Sequence, residues 1–215
     1  MMTEVEIRTA SEQTRKRLLE AAREVFSRHS FQGATIREIC RIADANVAAV
    51  NYHFGSKDGL LAEALNFAPL AALQKANAKL SECPRQRLRL FLRDFMVMLL
   101  DETNPSSQCR IMARELADPT PALDKIVREA IAPLHEFLAK LVREIVGDKV
   151  GDAELRRCVH SIVGQCLFYR HSHPVLQRLH PKLRYDHKEI VAIGEHIAEF
   201  SLAGIAQLTK TGKIC

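Results

Sequence analysis

Residues 46–60 read NVAAVNYHFGSKDGL. Whether this run is a catalytic loop, a strand or a helix decides the fold. Asn46 is a good N-cap, because its side-chain oxygen can accept from the amide two residues on. The following VAAVNYHF is predicted as a helix of one to two turns. Gly55-Ser56 ends it, and Ser56 can cap a further helix that begins at Lys57. Immediately upstream, Thr35-Ile36-Arg37-Glu38 has the form of a capping box: the threonine hydroxyl accepts from the N3 amide while Glu38 reaches back to the cap amide. A short helix over roughly 35–42 follows, with Ile36, Ile39, Cys40 and Ala43 on its inner face, and the chain turns at Ala43-Asp44-Ala45. Further upstream, Leu18, Ala22, Val25, Phe26 and His29 form one stripe of a helix in TRKRLLEAAREVFSRH, whose first turns carry Arg15, Lys16 and Arg17. Gly33 in FQGA breaks that pattern.

A longer helix followed by two short ones across a tight turn has the proportions of a helix-turn-helix. In that motif the second short helix enters the major groove. Ala48 and Ala49 allow close approach, and Asn46 and Asn51 offer amides that pair with base edges, adenine above all. Tyr52, His53 and Lys57 can donate to phosphate oxygens, which fixes register without reading sequence.

The string TIREICRIADANVAAVNYHFGSKDGL, Thr35 to Leu60, resembles the DNA-binding domain of TetR-type transcriptional repressors. That family shows a T-x-x-x-I-A-x-x-A-G-V helix-turn, then a short helix ending in Y-x-H/Y-F and x-S-K. The resemblance implies that Thr35 caps the second helix and donates to phosphate, that Asn46 to His53 is the recognition helix, that Phe54 is core and that Lys57 is a phosphate lysine. The DNA-contacting set it implies is Thr35, Arg37, Asn46, Ala48, Ala49, Asn51, Tyr52, His53 and Lys57. Two positions depart from the pattern. Asp44 replaces the turn glycine, at modest cost because Asp tolerates the left-handed region. Asn51 stands where many members carry tyrosine, which leaves open whether it meets a base or a phosphate. NVAAVNYHFGSK, PTPALDKIV and GQCLFYRHSHP together resemble the CecR-like branch of the family.

Helical periodicity continues through the rest of the chain. Helices are expected over about 57–80 with a kink near Pro69, from Pro84 through RQRLRLFLRDFMVMLL, over 107–117, from Ala122 to Val146 interrupted by Pro133, from Asp152 to Arg170 and from His187 to Leu208. The segment between the last two, with Pro174 and Pro181, reads as a loop. The expected fold is all-α, about nine helices: a three-helix DNA-binding domain over 1–58 and a larger helical domain over 59–215 for ligand binding and dimerisation.

In TetR-like proteins the larger domain holds an effector cavity, and adaptable Met and aromatic side chains suit a mostly apolar pocket. Phe95, Met96, Arg110 and Phe168 are the effector-site candidates, against the plainer reading of the Phe/Met stripe as core and of Arg110 and Arg114 as a solvated or ion-paired face. The last two predicted helices carry apolar residues on more than one face. Ile162, Cys166, Ile193, Ile197 and Phe200 are the candidate dimer surface, with Gly164 and Gly204 permitting close packing of a four-helix bundle. A homodimer lets a short recognition helix read two half-sites of a palindromic operator.

No cofactor or metal is expected. The histidines and cysteines near residues 158–173 have no i, i+3 or i+4 pairing on one helix. The six cysteines, Cys40, Cys83, Cys109, Cys158, Cys166 and Cys215, include no CxxC pair and read as free thiols, mostly buried. The formal net charge of +5 suits an anionic partner, but residues 1–60 hold nine Lys/Arg against eight Asp/Glu, so charge alone does not establish DNA binding. No apolar run reaches the roughly 18 residues of a membrane span and no signal peptide opens the chain, so a cytoplasmic protein is expected. The expected function is a regulator, by the family's habit a repressor, released from its operator by a small molecule. The rivals are the same fold without an inducer, controlled by a partner, and a helical-bundle enzyme using Tyr52, His53 and Lys57.

Overall fold

The computed structural model of the protein describes residues 4–65, 67–100 and 106–211. Every regular element among them is helical: α1 (Glu4–Arg28), α2 (Ile36–Ala43), α3 (Val47–Phe54), α4 (Lys57–Ala64), α5 (Ala68–Ala78), α6 (Pro84–Leu100), α7 (Ser106–Ala117), α8 (Pro121–Ile126), α9 (Ala132–Val146), α10 (Asp152–His171), α11 (His173–Leu179) and α12 (His187–Thr211).

Three elements differ from the sequence expectation. The 57–80 helix is two helices, because Pro69 sits in the first turn of α5, where a missing amide costs nothing, rather than kinking a continuous ladder. Between α8 and α9 the chain widens into a π-helical turn, Val127–Ile131. Pro133 has no N–H to offer the Glu129 carbonyl, and the widened turn falls where that ladder bond is missing. The segment read as a loop before residue 187 holds α11, started by Pro174 and without a buried residue.

The chain divides into two compact units, Met1–Phe67 with Pro105–Glu129, and Ala68–Asn104 with Ala130–Cys215. The first unit thus runs past residue 58 and takes in α7 and α8. Its core gathers Leu18, Ala22, Val25 and Phe26 of α1, Ile39, Cys40 and Ala43 of α2, Val50 and Phe54 of α3, and Leu60, Leu61 and Ala64 of α4, closed by Ile111 of α7 and Ile126 of α8. Each large apolar side chain buried there contributes about 1.5–3 kcal/mol.

Polar ties join the helices of this unit. Arg23 Nε donates to the Ala64 carbonyl at 2.9 Å. Arg15 pairs with Glu63 and lies 5.3 Å from the Phe54 ring centroid. Arg114 of α7 donates to the Phe26, Arg28 and His29 carbonyls at 3.0, 3.1 and 2.6 Å. Those carbonyls end α1 and lack intrahelical partners, so the guanidinium serves as their cap and meets the negative end of the helix dipole. Glu115, buried, accepts from both the amide and the hydroxyl of Thr120 at 2.7 Å, and Thr120 in turn caps α8.

The second unit is built on α6 crossing α12. A Cβ on Gly194 would lie 2.7 Å from the Arg93 Cα, so this glycine sets the crossing distance. A Cβ on either expected packing glycine, Gly164 or Gly204, would meet nothing within 4 Å beyond its own helix backbone. Phe91 stacks on Phe95 at 5.5 Å and meets Phe137 at 4.8 Å. Arg89 pairs with Glu199 across the crossing, and that bond holds the Glu199 carboxyl below its ordinary range.

Two groups of expected residues are corrected by this core. Phe95 and Met96 are 3% and 0% exposed, packed core side chains rather than the lining of an open pocket. Arg110, exposed on α7, belongs to the first unit, whereas Phe95, Met96 and Phe168 belong to the second. Of the dimer candidates, Ile162, Cys166, Ile193 and Ile197 are buried in their own chain and offer a partner no surface. The apolar stripes of α10 and α12 wrap the unit's own core. Phe200 and Phe168 are the exposed aromatics on those helices, 65% and 54% exposed.

Candidate nucleic-acid interface

The turn between α2 and α3 forms as its residues dictate. Thr35 Oγ1 accepts from the Glu38 amide at 3.1 Å, but the reciprocal half of the capping box does not form: the Glu38 carboxylate lies 4.0 Å from His29 Nε2 instead. Asp44 takes the left-handed conformation, φ 47° and ψ 57°, and Ala45 N–H donates to the Cys40 carbonyl. Among the described residues Asp44 is the one non-glycine position with positive φ. Its carboxylate lies 3.8 Å from Arg17, a favourable charge position on the surface.

Asn46 caps α3, its Oδ1 accepting from Ala48 N–H at 2.9 Å, which leaves both amide N–H donors free of the cap. The helix then divides into two faces. Val50 and Phe54 point into the core, and Ala49 is half-buried against it, so Ala49 supports the helix rather than approaching a groove. Val47, Ala48, Asn51 and Tyr52 form the outward face. Tyr52 is 80% exposed, with its ring edge-on to His53 at 4.9 Å, and His53 is half-buried. Val47, 46% exposed, was absent from the sequence-derived set. Spacing alone carries no signal for it: Val47 stands three residues before Val50 and seven before Phe54, positions that share a helix face, so periodicity places it inside while the structure leaves it exposed at the helix start. An exposed apolar side chain in the first turn of a reading helix suits a thymine methyl group. On α2, Arg37 is exposed beside the exposed cap Thr35.

Gly55, φ 74°, ends α3, and Ser56 Oγ accepts from the Gly59 amide at 3.0 Å to start α4. Gly59 has a second reason to be glycine. A Cβ there would lie 2.1 Å from the Phe54 carbonyl oxygen, so only a bare Cα lets α4 seat against the end of α3. Lys57 is not extended into solvent. Its ammonium donates to the Phe31 carbonyl and sits 4.2 Å from the centroid of the Phe31 ring, and burial lowers its pKa. Tyr52, His53 and Lys57 therefore do not converge as acid, base and electrophile: the first points outward and the third is turned to Phe31. Among the described residues no group of three His, Cys, Asp or Glu is placed to hold a metal ion, and no helix is long and apolar enough to cross a membrane.

Three N-terminal helices with a capped turn between the last two, a two-faced third helix and a clamped α4 behind it define a helix-turn-helix DNA-binding regulator of the TetR class. Residues 18–64 match the family model for bacterial regulatory proteins of the tetR family. Residues 84–205 match the model for the C-terminal domain of the HTH-type transcriptional dual regulator CecR, and the chain belongs to that family of transcriptional regulators. CecR of Shigella flexneri is 30% identical over 171 residues, covering 74% of this chain and 76% of the relative. In fold, the chain is similar to a transcriptional regulator from Pseudomonas aeruginosa PAO1, TM-score 0.69 at 21% identity over 91% of this chain and 93% of the other. It is also similar to FadR from Bacillus subtilis in complex with stearoyl-CoA, TM-score 0.68 at 15% identity over 88% and 98%.

Proposed function

We propose that this DNA-binding regulator reads its operator with the outward face of α3. Asn51 and the amide of Asn46 pair with base edges, Val47 and Ala48 pack on the groove floor, and Tyr52, His53, Thr35, Arg37 and Lys57 hold phosphates. The observation that carries the reading is the division of α3 into a core face of Val50 and Phe54 and a solvent face of Val47, Ala48, Asn51 and Tyr52. An ammonium has three donors and the Phe31 carbonyl uses one, so Lys57 keeps donors for a phosphate.

The chain acts as a homodimer in the cytoplasm. Its interface is the surface of α10 and α12 that the core leaves open, centred on Phe168 and Phe200 with Gly164 and Gly204 between neighbouring turns. Two half-sites one helical turn apart, about 34–36 Å, then form a palindromic operator. The regulator represses, and a small molecule bound in the second unit releases it. Support comes from the FadR neighbour, whose structure is a complex with stearoyl-CoA. The candidate entrance here is a hollow of about 460 Å³ lined by Arg93, Asp94 and Val97 of α6 and His187 and Val191 of α12. It lies beside, not at, the packed Phe95 and Met96.

Footprinting of the full-length protein on genomic DNA at several salt concentrations tests the reading. A palindromic site with a steep negative salt dependence is expected. Binding that ignores sequence overturns it. Asn51→Ala should relax preference at particular base pairs, by about 1–3 kcal/mol each. Sedimentation of Phe200→Arg as a monomer, against a dimeric wild type, is the matching result for the interface.

A further inference from the structure

Residues 170–188, RHSHPVLQRLHPKLRYDHK, hold Arg170, Arg178, Lys182, Arg184 and Lys188 against the single acid Asp186, with four of the nine histidines. The whole chain has a formal net charge of +5, so this segment carries nearly all of it. The DNA-reading unit does not account for that excess. The one acid is spent locally: Asp186 Oδ1 accepts from the Glu189 amide at 2.9 Å and caps α12.

Within this segment the chain folds around a pocket of about 140 Å³, lined by His173, Gln177, Pro181, Leu183, Arg184 and Tyr185. The volume matches about five water molecules, enough for one tetrahedral or planar oxyanion and too small for a drug-sized ligand. His173 and Tyr185 build one wall, ring centroids 4.8 Å apart in an edge-to-face contact. Tyr185 is held there with its ionisation pushed up by burial and by the neighbouring Tyr169 and Glu189, so its hydroxyl is a neutral donor. Arg178 is turned back to the Pro174 carbonyl at 2.6 Å. The side chains of Arg184 and Gln177 make no hydrogen bond or ion pair among the described residues, and both residues line the pocket. An unpaired guanidinium, an amide and a phenol surround a small hollow whose lining holds no carboxylate, the acid whose charge reaches Tyr185, Glu189, standing outside it, and this donor set has the chemistry of phosphate or carboxylate recognition.

We propose that this pocket is a binding site for an oxyanion group, phosphate or carboxylate, of a small ligand, with Arg184 as the principal donor and Gln177 and Tyr185 beside it. The site is separate from both the α3 reading face and the hollow between α6 and α12.

The chain has no tryptophan and three tyrosines, so tyrosine emission reports on Tyr185 without a stronger fluorophore. The full-length protein is titrated with inorganic phosphate and, separately, with acetate, at constant ionic strength set by chloride, and followed by tyrosine emission and calorimetry. Saturable binding of one of the two, weakened at least tenfold by Arg184→Gln and unaffected by Lys182→Gln, is expected; which anion saturates assigns phosphate or carboxylate. Both positions are exposed, so neither change threatens folding. Equal weakening by Arg184→Gln and Lys182→Gln, or a response that follows ionic strength alone, would show diffuse surface charge and overturn the site. Loss of duplex DNA binding in both variants, with no anion saturation in the wild type, would assign the segment to nucleic acid and overturn it equally. Operator binding by Arg184→Gln measured in parallel separates failure here from failure of the α3 reading.

Discussion

The ammonium of Lys57 donates to the Phe31 carbonyl and lies over the Phe31 ring, 4.2 Å from its centroid, while Phe31 stacks on Phe26 at 6.2 Å. The lysine that opens α4 is thereby fastened to the turn that follows α1. Lys57→Ala should remove a charged hydrogen bond and a cation–π contact at a half-buried site, costing about 1 kcal/mol in urea unfolding. It should also lower the salt slope of operator binding by about one, because a phosphate contact goes with it. A slope that stays at the wild-type value would leave Lys57 a structural tether only.

Gly59 and Gly55 separate two uses of glycine in one turn. At Gly55 a side chain meets open space but must adopt φ 74°, so Gly55→Ala should cost roughly 1–2 kcal/mol of backbone strain. At Gly59 the conformation is helical and alanine would gain about 1 kcal/mol of helix propensity, yet its Cβ would stand 2.1 Å from a backbone oxygen. The collision wins: Gly59→Ala should cost about 3 kcal/mol and reduce operator affinity by moving α3. Denaturant titrations of the two variants side by side check the order.

Much of this site was legible because its signals are local. Caps at Thr35, Asn46 and Ser56 need only a hydroxyl or amide at fixed spacing, and Asp44 marks its own left-handed turn. What escaped is long-range. That α7 and α8 return to pack on α1 and α4 depends on Ile111, Ile126 and Arg114 meeting residues far away in sequence, and periodicity carries no such information. The same blindness affected Ile162, Cys166, Ile193 and Ile197. A helix flanked by several neighbours buries more than one stripe inside its own chain, so multiple apolar faces do not by themselves signal a partner. Lys57 was readable as a cation near phosphates, but its contact with Phe31 was not.

The thiols should react in an order set by burial. Cys83 is exposed, whereas Cys40, Cys158 and Cys166 are buried and burial raises their pKa, that of Cys166 to about 12. A raised thiol pKa means less thiolate at neutral pH, and the thiolate is the nucleophile. Alkylation of the native protein at pH 8, followed residue by residue by mass spectrometry, should label Cys83 more than about a hundredfold faster than Cys166. Comparable rates would show that the α10 core opens readily and brings Cys166 within reach of reagent.

Arg114 tests whether α7 belongs functionally with the reading head. Its two terminal nitrogens span three carbonyls, those of Phe26, Arg28 and His29, a reach that depends on the planar guanidinium fork. Lysine keeps the charge near the α1 C-terminus but offers a single nitrogen, so Arg114→Lys should recover the dipole interaction and lose most of the capping. Arg114→Ala loses both and should cost about 1.5–3 kcal/mol, with lysine falling between alanine and the wild type. Because α1 also anchors α4 through Arg23, a loosened α1 end should lower operator affinity even though Arg114 is on neither α2 nor α3. Measuring unfolding midpoint and operator affinity for both variants decides the point. If stability drops while affinity per folded molecule is unchanged, α7 merely braces the unit; if both fall together, α7 sets the position of the helices that read DNA.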